Sequence, residues 1–241
     1  MMTPNNTALK SKLVILATVA RESKLDVFYV HSLSDTIKSA MSVGITVIPV
    51  FIGNDRSVPM AKNDLLKIAF EQEVDSLVFV DHDLAWDANE MVRIMMSDLP
   101  VVVLPVISKK TNSVIYDIDF DKSNLQFDQQ GFLKVSYAST ACMKLDRPVI
   151  QALMNSNVSI TDENNNDVKV VFEHQTQYGR FFNESQVLCN KLKDLGIDIW
   201  AWPTTTCSQN TNNLFTADFP GWLDGIKQRV STPQDIKSLY E

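Results

Sequence analysis

Short apolar runs separated by stretches of helical spacing fill the first hundred residues. Leu13-Val14-Ile15-Leu16-Ala17-Thr18 is apolar without alternation. That pattern predicts a strand buried on both faces, as in a parallel sheet. A helix is expected over residues 26–43, and residues 45–51 read as a second strand before the turn Gly53-Asn54-Asp55. Residues 61–73 have helical spacing, with Leu65, Leu66, Ile68 and Ala69 near one face. A third apolar strand over 76–80 ends at Asp81. A helix carrying Met91, Val92, Ile94 and Met95 follows Asp87 and closes at Pro100, and residues 101–106 form a fourth strand. Strand and helix alternating in this way predict a mainly parallel sheet covered by helices, an α/β fold of Rossmann-like kind.

The second half is patterned differently. Residues 115–145 read as shorter strands and turns, and the polar stretch 155–167 as an exposed loop. A helix over about 184–195 ends at Gly196 as its C-cap. Residues 197–202 form a strand before Pro203, and one more helix lies within 220–241. Residues 1–11 are polar and read as a loose arm. With no internal repeat and no low-complexity linker, the chain is expected to be a single domain over 1–241. Its parts are a first half at about 12–107, a smaller mixed half at about 108–225, and a C-terminal tail at 226–241.

Composition narrows the classes. The 241 residues are 45% hydrophobic, enough for a sizeable core. A formal charge of -7 argues against broad nonspecific binding to nucleic acid or anionic membrane. The N-terminus lacks a signal-peptide pattern, and no apolar stretch approaches the ~20 residues of a membrane span. Cys142, Cys189 and Cys207 are widely spaced and odd in number, so they suggest buried free thiols in a reducing, cytoplasmic setting.

The strongest chemical signal is Asp81-His82-Asp83 directly after an apolar strand. Ligands of open parallel sheets bind beyond the carboxyl ends of the strands. Two carboxylates at i and i+2 on an extended end suit a hard divalent cation, Mg²⁺ or Mn²⁺, that bridges phosphates. The competing reading is a pair of solvated strand-end acids. His82, between them, is expected to point away because strand side chains alternate.

The segment Leu77-Val78-Phe79-Val80-Asp81-His82-Asp83-Leu84-Ala85-Trp86-Asp87 resembles the DxD segment of GT-A glycosyltransferases. It is most similar to the small members found in phages and large viruses. The resemblance runs from about Leu13 to Phe219. Ala61-Lys62-Asn63 stands where such proteins have Ala-Arg-Asn. Tyr137-Ala138-Ser139-Thr140-Ala141 resembles their Tyr-Ala-Gly-Thr-Gly, and Asn183-Glu184-Ser185-Gln186-Val187-Leu188-Cys189 resembles Ser-Glu-Asp-x-x-Phe-Cys. Leu195-Gly196-Ile197-Asp198-Ile199-Trp200 resembles the Gly-x-x-Ile-Trp strand. Two acids or ligands of the pattern are replaced. The Glu-Asp pair is Glu184-Ser185, and the usual His-x-Gly ligand segment is Gln209-Asn210-Thr211.

The resemblance implies a metal-dependent transferase that moves a sugar from a nucleotide-diphosphate sugar, a UDP-sugar, to an acceptor hydroxyl. It implies Asp81, Asp83 and Gln209 as metal ligands. Thr18, Glu22, Lys62, Asn63 and Asp81 would contact the nucleotide and its diphosphate. Glu184 would be the catalytic base. For each of these the plainer alternative is an ordinary loop, a solvated helix face or, at Glu184, a helix-terminal acid beside an Asn183 cap. The acceptor is expected to be a glycan, a protein or, for a phage enzyme, a hydroxymethylated DNA base. A DNA acceptor would want a basic groove, for which Lys109, Lys110, Lys191 and Lys193 are the candidates. The alternative class is a non-catalytic or diverged sugar-nucleotide-binding protein. An NAD enzyme is disfavoured because residues 16–21 contain no GxGxxG. His31 and His174 read as structural or surface residues, and Trp202 as core or as a stacking platform for a sugar.

Overall fold

The computed structural model describes residues 11–53, 57–107, 116–161, 167–204, 207–210, 214–215 and 218–230. The chain opens with β1 (Lys12–Ala20), a 3-10 turn (Arg21–Ser23), α1 (Val27–Ser42) and β2 (Ile45–Gly53). Then come α2 (Val58–Glu71), β3 (Ser76–Val80), β4 (Leu84–Ala85), α3 (Ala88–Met96) and β5 (Val101–Val103). Short strands β6 (Ile118–Asp119), β7 (Leu133–Val135) and β8 (Tyr137–Ala138) lead to β9 (Cys142–Asp146) and α4 (Arg147–Ser156). Two hairpins follow, β10 (Ser159–Thr161) with β11 (Asp167–Lys169) and β12 (Gln175–Gln177) with β13 (Arg180–Phe182). The chain continues through α5 (Glu184–Asp194), β14 (Ile199–Ala201), β15 (Ser208–Asn210), β16 (Leu214–Phe215) and α6 (Phe219–Val230).

The central sheet has 7 strands in the order β2-β1-β3-β9-β5-β14-β7. Strands β2, β1, β3, β5 and β14 share one direction, and β9 and β7 oppose it. This is the mainly parallel α/β sheet that the alternating pattern predicts. The unbroken apolar runs have a direct cause: each strand feeds two cores. From β1, Ile15 and Ala17 pack with α2, α4, α5 and α6, whereas Val14 and Leu16 pack with α1 and α3. No helix among the described residues is long and apolar enough to cross a membrane.

Three expectations are corrected. The strand expected over 101–106 stops at Val103, before Pro105, which has no N–H to donate. Between it and β3 lies β9, antiparallel to both. Residues 147–156 form a helix where none was expected. Pro148 opens its first turn, and Val149, Ile150, Leu153 and Met154 face the core. The polar stretch over 155–167 contains a strand, β10, rather than loop alone.

Two buried polar side chains hold this arrangement together. Asn63 on α2 donates from Nδ2 to the Phe172 carbonyl at 2.8 Å. Its Oδ1 accepts the N–H groups of Val171 and Phe172 at 2.9 and 2.8 Å. Lys144, in the middle of β9, is fully buried; its ammonium donates to the Ser97 carbonyl at 2.6 Å and pairs with Asp146 at 3.0 Å. That contact ties β9 to the C-terminus of α3. Desolvation pushes Lys144 down to about 8, and it pushes the Asp146 carboxyl upward.

Removing Asn63 strands two buried N–H groups, each worth roughly 1–3 kcal/mol when left unmade. Asn63→Ala is therefore expected to lower the urea midpoint by an amount equivalent to several kcal/mol. A change under about 1 kcal/mol would show that water or repacking replaces these bonds. The second expectation concerns pH. An unfolded lysine keeps its proton to about 10.4, whereas native Lys144 loses it near 8. Between those values the unfolded chain binds the extra proton, so stability rises with pH. Relative to Lys144→Met, the native chain should gain stability from pH 8 to 10, and urea unfolding at each pH reads the difference. Parallel profiles would count against it.

Candidate functional site

The turn after β3 is fixed by main-chain bonds on several sides. All five residues of β3 are buried, so the chain reaches solvent only at its end. There the Asp81 N–H donates to the Ala141 carbonyl at 2.8 Å, just before β9 begins. The Asp81 carbonyl accepts from the Leu84 N–H at 3.2 Å, closing a tight turn with His82 and Asp83 at its corners. The His82 carbonyl accepts from the Asp26 N–H at 3.1 Å, and Asp26 caps α1 by accepting from Phe28 N–H. Gln209 is brought to this place by main-chain pairing: β15 runs antiparallel to β4 with Gln209 opposite Leu84, next to Asp83. Asp81 and Asp83 are both half-exposed.

Two aspartates in one turn offer hard oxygen donors, which suit Mg²⁺ or Mn²⁺ better than a thiolate-seeking metal. No group of three or more His, Cys, Asp or Glu among the described residues is placed to hold a metal on its own. One or two carboxylates of this kind can share a cation with substrate phosphates and water.

A second polar cluster lies beside the turn. Lys62 on α2 is buried; its Nζ donates to Thr140 Oγ1 at 2.6 Å and lies 3.9 Å from Glu184 Oε1. It also sits 6.0 Å from the centre of the Phe79 ring, two residues before Asp81. Thr140 is joined to Ser185 through its N–H and through its hydroxyl, at 3.1 and 3.0 Å. Ser185, which replaces an acid of the resembled pattern, is thus a buried tie between α5 and the segment before β9. Glu184 is the first residue of α5. Its neighbour Asn183 caps the helix in a capping box with Gln186, at 2.9 and 3.1 Å, so the cap does not depend on Glu184. The second oxygen of Glu184, Oε2, lies 3.1 Å from His174 Nε2. Since Thr140 precedes Ala141, one short segment touches both the Asp81 turn and the Lys62–Glu184 pair.

The other candidates are placed as follows. Thr18 lies inside β1 and is buried, its hydroxyl within 2.6 Å of Tyr29 Oη and donating to the Val80 carbonyl at 2.8 Å. Those bonds hold the ends of β1 and β3 and the first turn of α1 together beneath the Asp81 turn. Glu22 is exposed beyond β1, at a left-handed φ of 51°, and pairs with Lys24 at 2.7 Å. Asn63 points into the protein, onto residues 171–172. Trp202 is buried against Phe132, under the Arg93 guanidinium, with its Nε1 donating to Glu90. Lys191 donates to the Val170 and Val171 carbonyls and to Glu173. Lys109 and Lys110 lie outside the described residues.

His174, read from the sequence as a structural or surface residue, is half exposed and meets Glu184. It reaches Glu184, ten positions on, because β12 and β13 fold back across a two-residue loop, Tyr178–Gly179, with φ of 51° and 73°. Two left-handed residues are what a tight hairpin loop requires, and Gly179 between polar and aromatic runs was the available signal.

Comparison with known proteins adds the following. No protein-family model matches the chain, and no curated protein matches it. Among solved structures, the A197 protein from STIV is similar at a TM-score of 0.50 and 11% identity, over 83% of this chain and 86% of that one. A Drosophila β-1,4-galactosyltransferase 7 variant, in complex with manganese, UDP-Gal and xylobiose, overlaps at 0.43 and 12% identity, over 78% of this chain and 64% of that one. A glycosyltransferase involved in glycosylation of the major capsid of PBCV-1 overlaps at 0.30 and 7% identity, over 58% and 62%. At such identities the likeness to A197 is one of fold.

Proposed function

We propose that the chain is a metal-dependent glycosyltransferase that transfers a sugar from a nucleotide-diphosphate sugar, a UDP-sugar, to an acceptor hydroxyl. The observation that carries this reading is the meeting, at one end of the sheet, of the Asp81–Asp83 turn and the Lys62–Glu184 pair through residues 139–141. The donor would lie over the carboxyl ends of β1 and β3, between Glu22 and the turn, with Asp81 toward the ribose and Asp83 toward the cation. Gln209, beside the turn, is the neutral candidate for a further ligand. A bound cation would offset the negative charge that develops on the leaving diphosphate. Lys62 orients Glu184 by charge. Glu184 takes the acceptor proton, on the acceptor face opposite the leaving group, which corresponds to inversion at the anomeric carbon.

Among acceptors, the reading favours a glycan or protein hydroxyl over a hydroxymethylated DNA base. Lys191 is used inside the protein, and the net charge of -7 does not suit a polyanion. The second reading, binding of sugar nucleotides without transfer, draws on Ser185, which stands where the pattern has an acid and is spent on Thr140. Hydrolysis of UDP-sugars by the purified chain with Mn²⁺ separates the two.

Two variants test the assignment. Asp83→Ala is expected to abolish Mn²⁺-dependent turnover while leaving the melting temperature of the free protein near that of the native chain. Normal turnover of this variant in EDTA would remove the metal from the reading. Glu184→Gln keeps size and hydrogen bonding, and Asn183 still caps the helix. It is expected to lose roughly 10²–10⁴ in rate with donor binding retained. Unchanged turnover, or a product that keeps the donor's anomeric configuration, would take Glu184 out of this role.

A further inference from the structure

We propose that the groove between α2 and the β10–β11 hairpin receives an apolar group carried by the acceptor, an aryl or short alkyl aglycone. It thereby selects the molecule whose hydroxyl meets Glu184. This rests on the reading of Glu184 as the base. The groove encloses about 250 Å³. Its apolar walls are Pro59 and Met60 of α2, Ile160 and Val168 of the hairpin, and Val170 and Phe172 beyond it. After Phe172 the lining continues into Glu173 and His174. His174 Nε2 lies 3.1 Å from Glu184 Oε2. A molecule seated in the groove is therefore within one side chain of the carboxylate.

Two local periodicities build the walls. Val168, Val170 and Phe172 are alternate residues of an extended segment, so they share one face. Ile160 stands directly opposite Val168 in the hairpin and joins that face. On α2, Met60 and Asn63 are three positions apart and lie on one side of the helix. Asn63 bonds the main chain of residues 171–172 at 2.8 and 2.9 Å, which sets the spacing of the two walls. The groove is thus formed before any ligand arrives.

Two wall side chains are left in water, Met60 at 44% and Ile160 at 51% exposed. Covering such surface is favourable in proportion to its area. The occupant is small. At about 30 Å³ for each water-sized unit the groove holds roughly eight of them. That suits a phenyl ring or a short alkyl chain. It does not suit a second copy of the chain, since a standard interface takes about 800 Å² of each partner. The net charge of -7 disfavours an anionic membrane surface. Against the His174 imidazole packs the Phe181 ring, at 5.4 Å between centres and itself 65% exposed. An exposed aromatic face beside the carboxylate suits the apolar face of a sugar ring. The acceptor is then a glycoside, with its sugar beside Phe181 and Glu184 and its aglycone between α2 and the hairpin.

Phenyl and methyl β-glycosides of glucose, galactose, mannose and xylose test this, in binding by calorimetry and in transfer from a UDP-sugar with Mn²⁺. The full native chain is compared with Met60→Gln, Ile160→Thr and the double variant. Both positions are exposed, and the replacements suit a helix and a strand, so melting temperatures should stay native. A phenyl glycoside is expected to bind the native chain about tenfold more tightly than its methyl partner and to raise kcat/KM by about tenfold or more, the scale of apolar selection in a pocket. Each substitution should cut that preference, and the double variant should bring the two acceptors level. Equal handling of phenyl and methyl glycosides by the native chain overturns the groove. So does an absence of phenyl-glycoside binding, or a preference that survives the double substitution. The binding arm separates this from the transferase reading. A phenyl preference in binding that Met60→Gln weakens supports the groove even where the native chain transfers nothing or Glu184→Gln turns over normally, and those two results remove the base reading alone.

Discussion

The insertion of β9 between β3 and β5 is the constraint on which the site depends. An antiparallel strand there delivers residues 139–141 to the carboxyl end of β3, where the parallel neighbours present their ligand-binding ends. Without it, the Ala141 carbonyl would not meet the Asp81 N–H, and Thr140 would not meet Lys62. The same strand brings Lys144 into the sheet, so its register is tied to α3 through the Ser97 carbonyl. A one-residue slip would exchange its two faces and carry that ammonium into the opposite apolar core. Correct register at β9 and correct placement of residues 139–141 are therefore one structural fact.

A second theme is the use of buried polar groups as joints. Lys62, Asn63, Thr140 and Ser185 are all buried. Burying such groups is costly unless their bonds are made. Here each bond crosses between elements far apart in the chain: α2 to residues 171–172, α2 to residue 140, and residue 140 to α5. These joints fix α5 and residues 140 and 171–172 against α2 with directional bonds, which apolar packing alone would not do. Lys62 and Asn63 are neighbours in sequence, yet one faces the site and the other braces the segment that carries His174.

The sequence by itself determined the sheet class, because strands that feed two cores must be apolar on both faces, as 13–18, 76–80 and 101–103 are. It also placed Asp81 at the carboxyl end of β3, where the apolar run gives way to acids, but residues 81–84 close a tight turn rather than the extended end expected. The start of α5 was legible from Asn183, whose cap is a purely local bond pattern. What only the tertiary structure decided is which residues meet. Strand order depends on pairing across long separations, so the place of β9 had no local signal. Whether Lys62 and Asn63 turn outward or inward depends on what packs over α2, and the expectation that Asn63 contacts the nucleotide did not anticipate residues 171–172. His174 joined Glu184 through a two-residue hairpin turn followed by the α5 cap. Each step is local, but the meeting of imidazole and carboxylate is a sum of geometries that no periodicity encodes.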